Sequence, residues 1–339
     1  MKAAVYYGPR DIRTEEVKMP ETADNEILIN VKACGICGSD LHMYKLGLFS
    51  DTLCRQLENG GIPGHEFSGE VAKVGRKVRK IYEGDRVSGL FNGGMAEYIP
   101  VPVIKGVTVH VLPPEVSYEE AATLEPLANS IHAMMRANPS KGENAVIFGL
   151  GAIGLGIIQC IKALEVDLNN IVAVDMADHR LNVAKQFGAD GVINPSRDDP
   201  FEKVKEFVGS HPLMVAPTIR NPNVDIVYDC VGYVKDQPGT PVIQHAINMV
   251  REYKGRVIVH GLFEKNVKLD LLPMVGKQIS ILGSFAAFPA ELKQALELMQ
   301  SKKVDRTKII SHEFPLDKAK EAFEMQCKVN ESVKVLIKP

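Results

Sequence analysis

The chain has 339 residues, 45% of them hydrophobic and 24% charged, a mix that supports two globular domains, each with its own apolar core. Its 40 Lys and Arg against 42 Asp and Glu leave a net charge of −2, which offers no electrostatic attraction to nucleic acid or to an anionic membrane. No secretory signal opens the chain, the uncharged stretch 145–161 is too short and glycine-rich to span a bilayer, and six scattered cysteines form no disulfide framework. A cytoplasmic, unanchored protein is expected.

Up to about residue 115 the pattern is one of short strands and tight turns, with β-like runs at 3–7, 26–33, 69–74 and 85–87. A helical stretch over 118–135 follows the Pro113-Pro114 pair. From Asn144 strands and helices alternate: strand 145–148, helix 152–164, strand 171–174 and helix 179–187, then strands at 224–228, 256–259 and 278–282. That alternation calls for a parallel sheet covered by helices on both faces. The stretch 205–222, with Pro212, Pro217 and Pro222, is expected to be a surface loop. Helix 292–300, a strand around Ile309, helix 318–325 and strand 333–337 complete the chain.

The first strand of the alternating region runs into Gly149-Leu-Gly151-Ala152-Ile153-Gly154. Glycines at this spacing permit a tight turn, close approach of backbone to a pyrophosphate and close helix–strand packing, and the helix N-terminus offers free N–H groups. Alone, the pattern also fits a glycine-rich turn of any α/β protein. Here the second strand ends in Asp175, 21 residues past Gly154, where a carboxylate can accept from the adenosine ribose hydroxyls. By itself Asp175 also has the lesser reading of a helix cap before Ala177-Asp178. In order, the features indicate a nicotinamide dinucleotide. An acid at 175 repels a 2′-phosphate, so NAD is expected over NADP. Arg180, close by in the cofactor region, is taken as a solvated residue of the following helix's first turn.

Three groups of metal-ligand residues lie upstream: Cys34-Gly-Ile-Cys37-Gly-Ser39-Asp40-Leu-His42, Gly64-His65-Glu66 and Leu124-Glu125-Pro126. Each is ambiguous in isolation. Cys34 and Cys37 are spaced as a redox pair or as half a zinc ribbon, but no second CxxC completes four thiolates. His65 has the reading of a satisfied loop histidine, and Glu125 that of a solvated helix residue.

Taken together, these groups and the glycine-rich turn resemble the zinc-containing medium-chain alcohol dehydrogenase family. The resemblance runs from Met1-Lys2-Ala3 through Gly84-Asp85-Arg86-Val87 and Gly93-Gly94-Met-Ala-Glu97-Tyr98 to Phe314-Pro-Leu-Asp-Lys-Ala-Lys-Glu-Ala-Phe323. It implies an α/β chain: a GroES-like, β-rich catalytic domain over 1–126, a Rossmann doubly wound parallel-sheet domain over 127–276, and a return to the catalytic domain over 277–339. Cys37 and His65 match the family's first two zinc ligands. Glu125 matches the third, an acid in the polyol, butanediol and threonine dehydrogenase branches and a cysteine in another. Glu66 matches an acid that lies behind the ligands in some members and is a direct or exchanging ligand in others. Asp40 matches the acid that orients the zinc-bound histidine. Ser39 and His42 match a proton relay from the substrate oxygen to solvent. Cys34 matches no ligand and is assigned to strand packing.

The chain departs from the family in having no cysteine between Gly84 and Tyr98, where many members hold a structural zinc on four cysteines. One catalytic zinc and no structural zinc is therefore expected. The loop 45–61, with Cys54 and Arg55, is unusual and would border the substrate cleft; the 209–222 insertion is also atypical. The reaction implied is hydride transfer between a secondary alcohol, diol or polyol and NAD to give a ketone, in a homodimer or homotetramer. Two other readings are a zinc-free reductase of activated double bonds, disfavoured by the ligands, and a non-catalytic nucleotide-binding protein. Metal analysis separates the first of these, and an NAD-reduction screen with alcohols the second.

Overall fold

A computed structural model describes residues 1–214, 216–233 and 239–339. The chain forms two compact units, one of Met1–Ala128 with Phe288–Pro339 and one of Asn129–Ala287.

The N-terminal part of the first unit is β-rich. A hairpin of β1 (Lys2–Gly8) and β2 (Asp11–Glu16) precedes the long strand β3 (Glu26–Gly35), whose Ile27, Ile29, Val31 and Ala33 are buried on one face, with buried Leu28, half-buried Asn30 and exposed Lys32 at the alternate positions. The 45–61 region holds structure of its own. Helix α1 (Gly38–Leu46) ends at Gly47, whose positive φ of 73° closes the C-cap; a short α2 (Ser50–Leu53) then leads into a hairpin of β4 (Arg55–Gln56) and β5 (Gly61–Ile62). Strands β6 (Glu66–Val74), β7 (Arg86–Gly89), β8 (Tyr98–Pro102) and β9 (Val109–Val111) follow. The helical stretch expected over 118–135 is two helices, α3 (Tyr118–Ala121) and α4 (Leu124–Arg136). The break at Ala122-Thr123 arises because Thr123 donates its hydroxyl to the Glu120 carbonyl at 2.8 Å, while buried Ser68 and Ser88 take the Tyr118 and Ala121 carbonyls at 2.5 and 2.9 Å.

The second unit is the doubly wound one. Strands β10 (Asn144–Phe148), β11 (Asn170–Val174) and β12 (Gly191–Ile193) alternate with α5 (Ala152–Ala163), α6 (Asp178–Gln186) and α7 (Pro200–Val208). An antiparallel pair, β13 (Ser210–Pro212) and β14 (Arg220–Pro222), stands where the sequence suggests a plain loop, although Val215 within it lies outside the described residues. Arg220 closes that hairpin through Ser210, donating to its hydroxyl at 2.9 Å and its carbonyl at 2.6 Å. Then come β15 (Ile226–Asp229), α8 (Val242–Met249), β16 (Arg256–Val259), α9 (Leu272–Lys277) and β17 (Ser280–Gly283). All six sheet strands are parallel, in the order β12-β11-β10-β15-β16-β17. The direction of winding reverses between β10 and β15, where such sheets bind ligands at their carboxyl ends. Because β17 pairs in register with β16, the unit extends to Ala287 rather than ending at 276.

The chain then returns to the first unit with α10 (Pro289–Gln300), β18 (Ile310–Pro315), α11 (Ala319–Cys327) and β19 (Lys334–Lys338). Strand β19 pairs antiparallel with β3, setting Leu336 opposite Gly35 and Ile337 opposite Cys34, so the last strand is built into the sheet carrying the first metal-ligand motif. Phe323 of α11 packs on Tyr44 of α1 at 5.0 Å between ring centroids, within a core that also holds Ile29, Phe67 and Val335. No helix among the described residues is long and apolar enough to cross a membrane.

Candidate active site

In the first unit the site is built from strand ends and one helix start. Strand β3 delivers Cys37 two residues past its end, as the N-cap of α1, where Asp40 accepts the Cys37 backbone N–H at 2.9 Å. Strand β6 begins at Glu66, so His65 and Glu66 emerge together from the turn before it, with Glu66 opposite Gly35. Ligand-type atoms of Cys37, His65 and Glu66 lie within 4.8 Å of one another, a grouping suited to a metal ion among the described residues. Asp40 is fully buried behind the histidine, its Oδ1 3.7 Å from His65 Nδ1.

Glu125 stands half-buried in the first turn of α4 and outside that 4.8 Å set. Its charge nevertheless reaches Cys37, His65 and Lys334. The two buried serines that hold the α3 carbonyls fix the start of α4, and with it Glu125, against the sheet. Ser39 and His42 lie three apart on α1, both half-buried and on neighbouring turns of one helix face. Cys34 is fully buried in β3, its sulfur packed where side chains on Gly64 or Gly94 would intrude, which makes it a packing residue.

Sequence reasoning missed Lys334. This lysine is 2% exposed, pairs with the Glu66 carboxylate and donates to the Ile36 carbonyl at 2.9 Å. A side chain at Gly35 would lie 2.5 Å from Glu66 Oε2 and 2.7 Å from Lys334 Cε, so the pair occupies the space that glycine leaves. A buried ion pair survives only when each charge is met. Lys334 therefore cancels the Glu66 charge, which otherwise adds one negative charge to a site of one thiolate and two carboxylates. The available signal was a lysine, Lys334, directly before the apolar run Val335-Leu336-Ile337 of the terminal strand.

The electrostatics of the group call for a cation. Burial pushes the Cys37 thiol pKa up and Glu66 adds to the rise. Burial opposes charge on His65, yet Asp40, Cys37 and Glu125 together hold its pKa well above the ordinary range. Burial likewise raises Asp40. His65 Nδ1 and Asp40 Oδ1 are buried without hydrogen-bond partners among the described residues. A thiol, an imidazole and carboxylates converging in an apolar setting are the donor set of a zinc site, and metal uptake displaces the protons these groups hold.

In the second unit the expected turn is present. Gly149 follows β10 with φ 86° and donates its N–H to the Val174 carbonyl at 2.9 Å; a side chain there would lie 2.6 Å from Val231. Gly154 sits so close to the Gly149 carbonyl oxygen that any Cβ would collide with it, while at Gly151, the N-cap of α5, a Cβ would meet nothing within 4 Å. Ala152 and Ile153 form the first turn of α5. Tightness is thus confined to the first and third glycines, and the second leaves its surroundings open.

Asp175 directly follows β11 and accepts the Leu150 N–H at 2.7 Å and the Ala177 N–H at 2.8 Å, which ties the glycine turn to the next helix. Arg180 is not a solvated residue. Its side chain is 11% exposed, with Nη1 3.8 Å from Asp175 Oδ2, because helix α6 turns it inward. Burial lowers its pKa and the neighbouring carboxylate opposes that shift. Asp229, also unforeseen, ends β15 and accepts from Val231 N and Gly232 N at 3.0 and 2.9 Å. Its burial pushes the carboxyl up to about 6.

Comparison with known proteins agrees with both halves. Residues 23–112 match the alcohol dehydrogenase GroES-like domain and residues 152–301 the zinc-binding dehydrogenase domain. Sorbitol dehydrogenase of Bombyx mori is 30% identical over 371 aligned positions, covering 99% of this chain and 97% of the relative. (R,R)-butanediol dehydrogenase of Bacillus subtilis is 30% identical over 374 positions, covering 100% of each. The crystal structure of 2R,3R-butanediol dehydrogenase from Bacillus subtilis superposes with a TM-score of 0.81 at 28% identity, covering 100% of this chain and 99% of that one.

Proposed function

Because the chain belongs to the zinc-containing medium-chain alcohol dehydrogenases, and so is a zinc-dependent oxidoreductase of alcohols or polyols, we propose that it oxidises a secondary alcohol bearing a neighbouring oxygen to the ketone, with NAD as hydride acceptor. The observation that carries this reading is the convergence of Cys37, His65 and Glu66 on one point, with buried Asp40 behind the histidine. Cys37, His65 and Glu125 are the proposed ligands, and Glu66, neutralised by Lys334, is the adjacent acid that exchanges with them. Zinc held there supplies a Lewis acid that lowers the pKa of an alcohol, and NAD accepts the hydride.

The chain's own residues do the rest. Asp40 fixes the His65 ring through its Nδ1 side. Ser39 takes the hydroxyl proton from the alcohol oxygen and His42, one turn along α1, passes it outward. An oxygen ligand in place of a second thiolate would favour substrates with a second oxygen near the reacting carbon.

The proposal extends to cofactor and assembly. The adenosine ribose is bound at Asp175, and a 2′-phosphate meets that carboxylate, which supports NAD over NADP. Asp175→Ala is expected to weaken NAD binding and narrow the gap to NADP; a wild-type protein that used NADP as well as NAD would overturn the assignment. A homo-oligomer is supported by the edge of the parallel sheet, where Leu272, Val275 and Phe285 are 76%, 67% and 78% exposed. None of the six cysteines forms a disulfide, in keeping with a reducing, cytoplasmic setting.

The test joins metal analysis to a screen of NADH formation with polyols, vicinal diols, sugar alcohols and simple alcohols. One zinc per chain, activity lost on chelation with most thermal stability kept, and preference for diols or polyols are expected. Two tightly bound zinc ions per chain, full activity in metal-free protein, or faster turnover of simple primary alcohols would each defeat a stated part of the reading.

A further inference from the structure

Arg55 stands apart from the buried cations Lys334 and Arg180. Lys334 is met by Glu66, and Arg180 by Asp175. The Nε and Nη2 atoms of half-buried Arg55 are shielded from solvent and have no hydrogen-bond partner among the described residues. No described carboxylate forms an ion pair with it, and burial alone lowers its pKa. A shielded, unmatched guanidinium is costly to hold and marks a place where an anion belongs.

The two free nitrogens are not an arbitrary pair. Nε and Nη2 form the edge by which arginine grips a carboxylate with two parallel hydrogen bonds. Elsewhere this chain uses that same edge for the purpose. Arg13 holds both oxygens of Asp11 through Nε and Nη2 at 2.8 and 2.7 Å, and Arg76 holds both of Asp24 at 2.8 and 3.1 Å. On Arg55 no matching acid is present among the described residues.

The surroundings fix where that edge lies. Arg55 opens β4, paired with Ile62, at the end of the unusual segment that follows α1. The segment is pinned rather than loose: Asn92 donates to the Thr52 carbonyl at 2.5 Å and Gln56 to the Ser50 carbonyl at 3.1 Å. The Arg55 stem lies over Gly93, where a Cβ would stand 2.9 Å from Arg55 Cβ and 3.1 Å from Nε. Gly93 and Gly94 in turn donate their N–H groups to the carbonyl of Gly64, the residue before His65, at 2.9 and 2.8 Å. The Arg55 stem is therefore anchored on the turn whose backbone holds the residue before His65.

We propose that Arg55 is the substrate's anion-recognising residue: the alcohol oxidised beside Cys37 and His65 carries a carboxylate or a phosphate ester, gripped by the Nε–Nη2 edge. This rests on the dehydrogenase reading of that site and adds the substrate's charge to it.

The test is calorimetric titration of zinc- and NAD-loaded protein with sorbitol, gluconate and sorbitol 6-phosphate, run on wild type, Arg55→Leu and Arg55→Lys. At least one anion is expected to bind about ten- to hundredfold more tightly than sorbitol, and the better of the two identifies the group recognised. Arg55→Leu should erase the difference. Arg55→Lys, which keeps the charge without the forked edge, should retain only part of it and serves if the leucine variant does not fold. Equal binding of all three ligands, binding of none, or an anion preference that survives both variants would overturn the inference. NADH formation, followed in parallel, separates the two readings. Anion binding through Arg55 with no oxidation of any alcohol in the wider screen would overturn the dehydrogenase reading alone, whereas sorbitol turnover matching that of both anions would overturn the role of Arg55 alone.

Discussion

The two units make chemistry in opposite ways. In the second, the site is backbone: three glycines and an acid within 27 residues, shaped by a strand, a turn and a helix that follow one another along the chain. In the first, the candidate site is side chains drawn from residues 37, 40, 65, 66 and 334, with Glu125 as the further ligand proposed. A backbone site depends on local geometry, and its tolerance is steric. A side-chain site depends on charge balance, and its members can be far apart in sequence.

If that contrast holds, the largest single effect on folding should come from unbalancing charge in the first unit. Lys334→Met leaves the Glu66 carboxylate buried without its partner and should destabilise by about 3–5 kcal/mol, read by denaturant unfolding. Adding Glu66→Gln to Lys334→Met should recover most of that loss. A double variant as unstable as the single one would show that Lys334 acts by packing rather than charge.

A smaller loss is expected from filling space in the second unit. Gly154→Ala pushes a methyl into the Gly149 carbonyl and should cost up to about 3 kcal/mol while sharply weakening NAD binding. Gly151→Ala meets nothing within 4 Å among the described residues and should leave stability nearly unchanged, with its effect confined to the dinucleotide. Equal destabilisation by both alanines would break the distinction between steric and ligand-facing glycines.

The smallest effect sharpens the comparison by finding charge in the backbone-dominated unit. Asp229 is held up at about 6 by burial, against an ordinary 3.8, so its contribution is full below that ordinary value and is lost as pH rises towards 6. His260 is pushed down to about 4 by burial, with a further push from His132, against an ordinary 6.5, so its contribution is full above 6.5 and is lost as pH falls towards 4. The two slopes oppose each other between pH 4 and 6. Asp229→Asn removes one of them, so its stability relative to wild type should rise by about 2 kcal/mol across that window. A difference that stays flat in pH-dependent unfolding would mean that Asp229 is not perturbed in the folded chain.

Much of the architecture is legible in the order of residues. Alternation from Asn144 onward dictates a parallel sheet, and glycine spacing locates its dinucleotide turn, because both are consequences of contiguous residues. The metal-ligand residues are legible by type, since few side chains bind zinc, and a family resemblance joins motifs that spacing alone leaves ambiguous. Less legible are elements set by long-range hydrogen bonds. Ser88 takes the Ala121 carbonyl where the 118–135 helix breaks, and Arg220 with Ser210 closes a hairpin where a loop is expected.

The sequence by itself determined which residues can bind a metal and where the backbone must turn tightly. Only the tertiary structure decided their electrostatic state. Strand β19 lies some 300 residues from β3 in the chain, and their pairing is what sets Lys334 against Glu66. Helix α6 turns Arg180 in to Asp175, and the glycine turn at 93–94 fixes Arg55 without an acid beside it. Charge is a pairwise property that depends on distance and burial, and neither quantity is written in the order of residues.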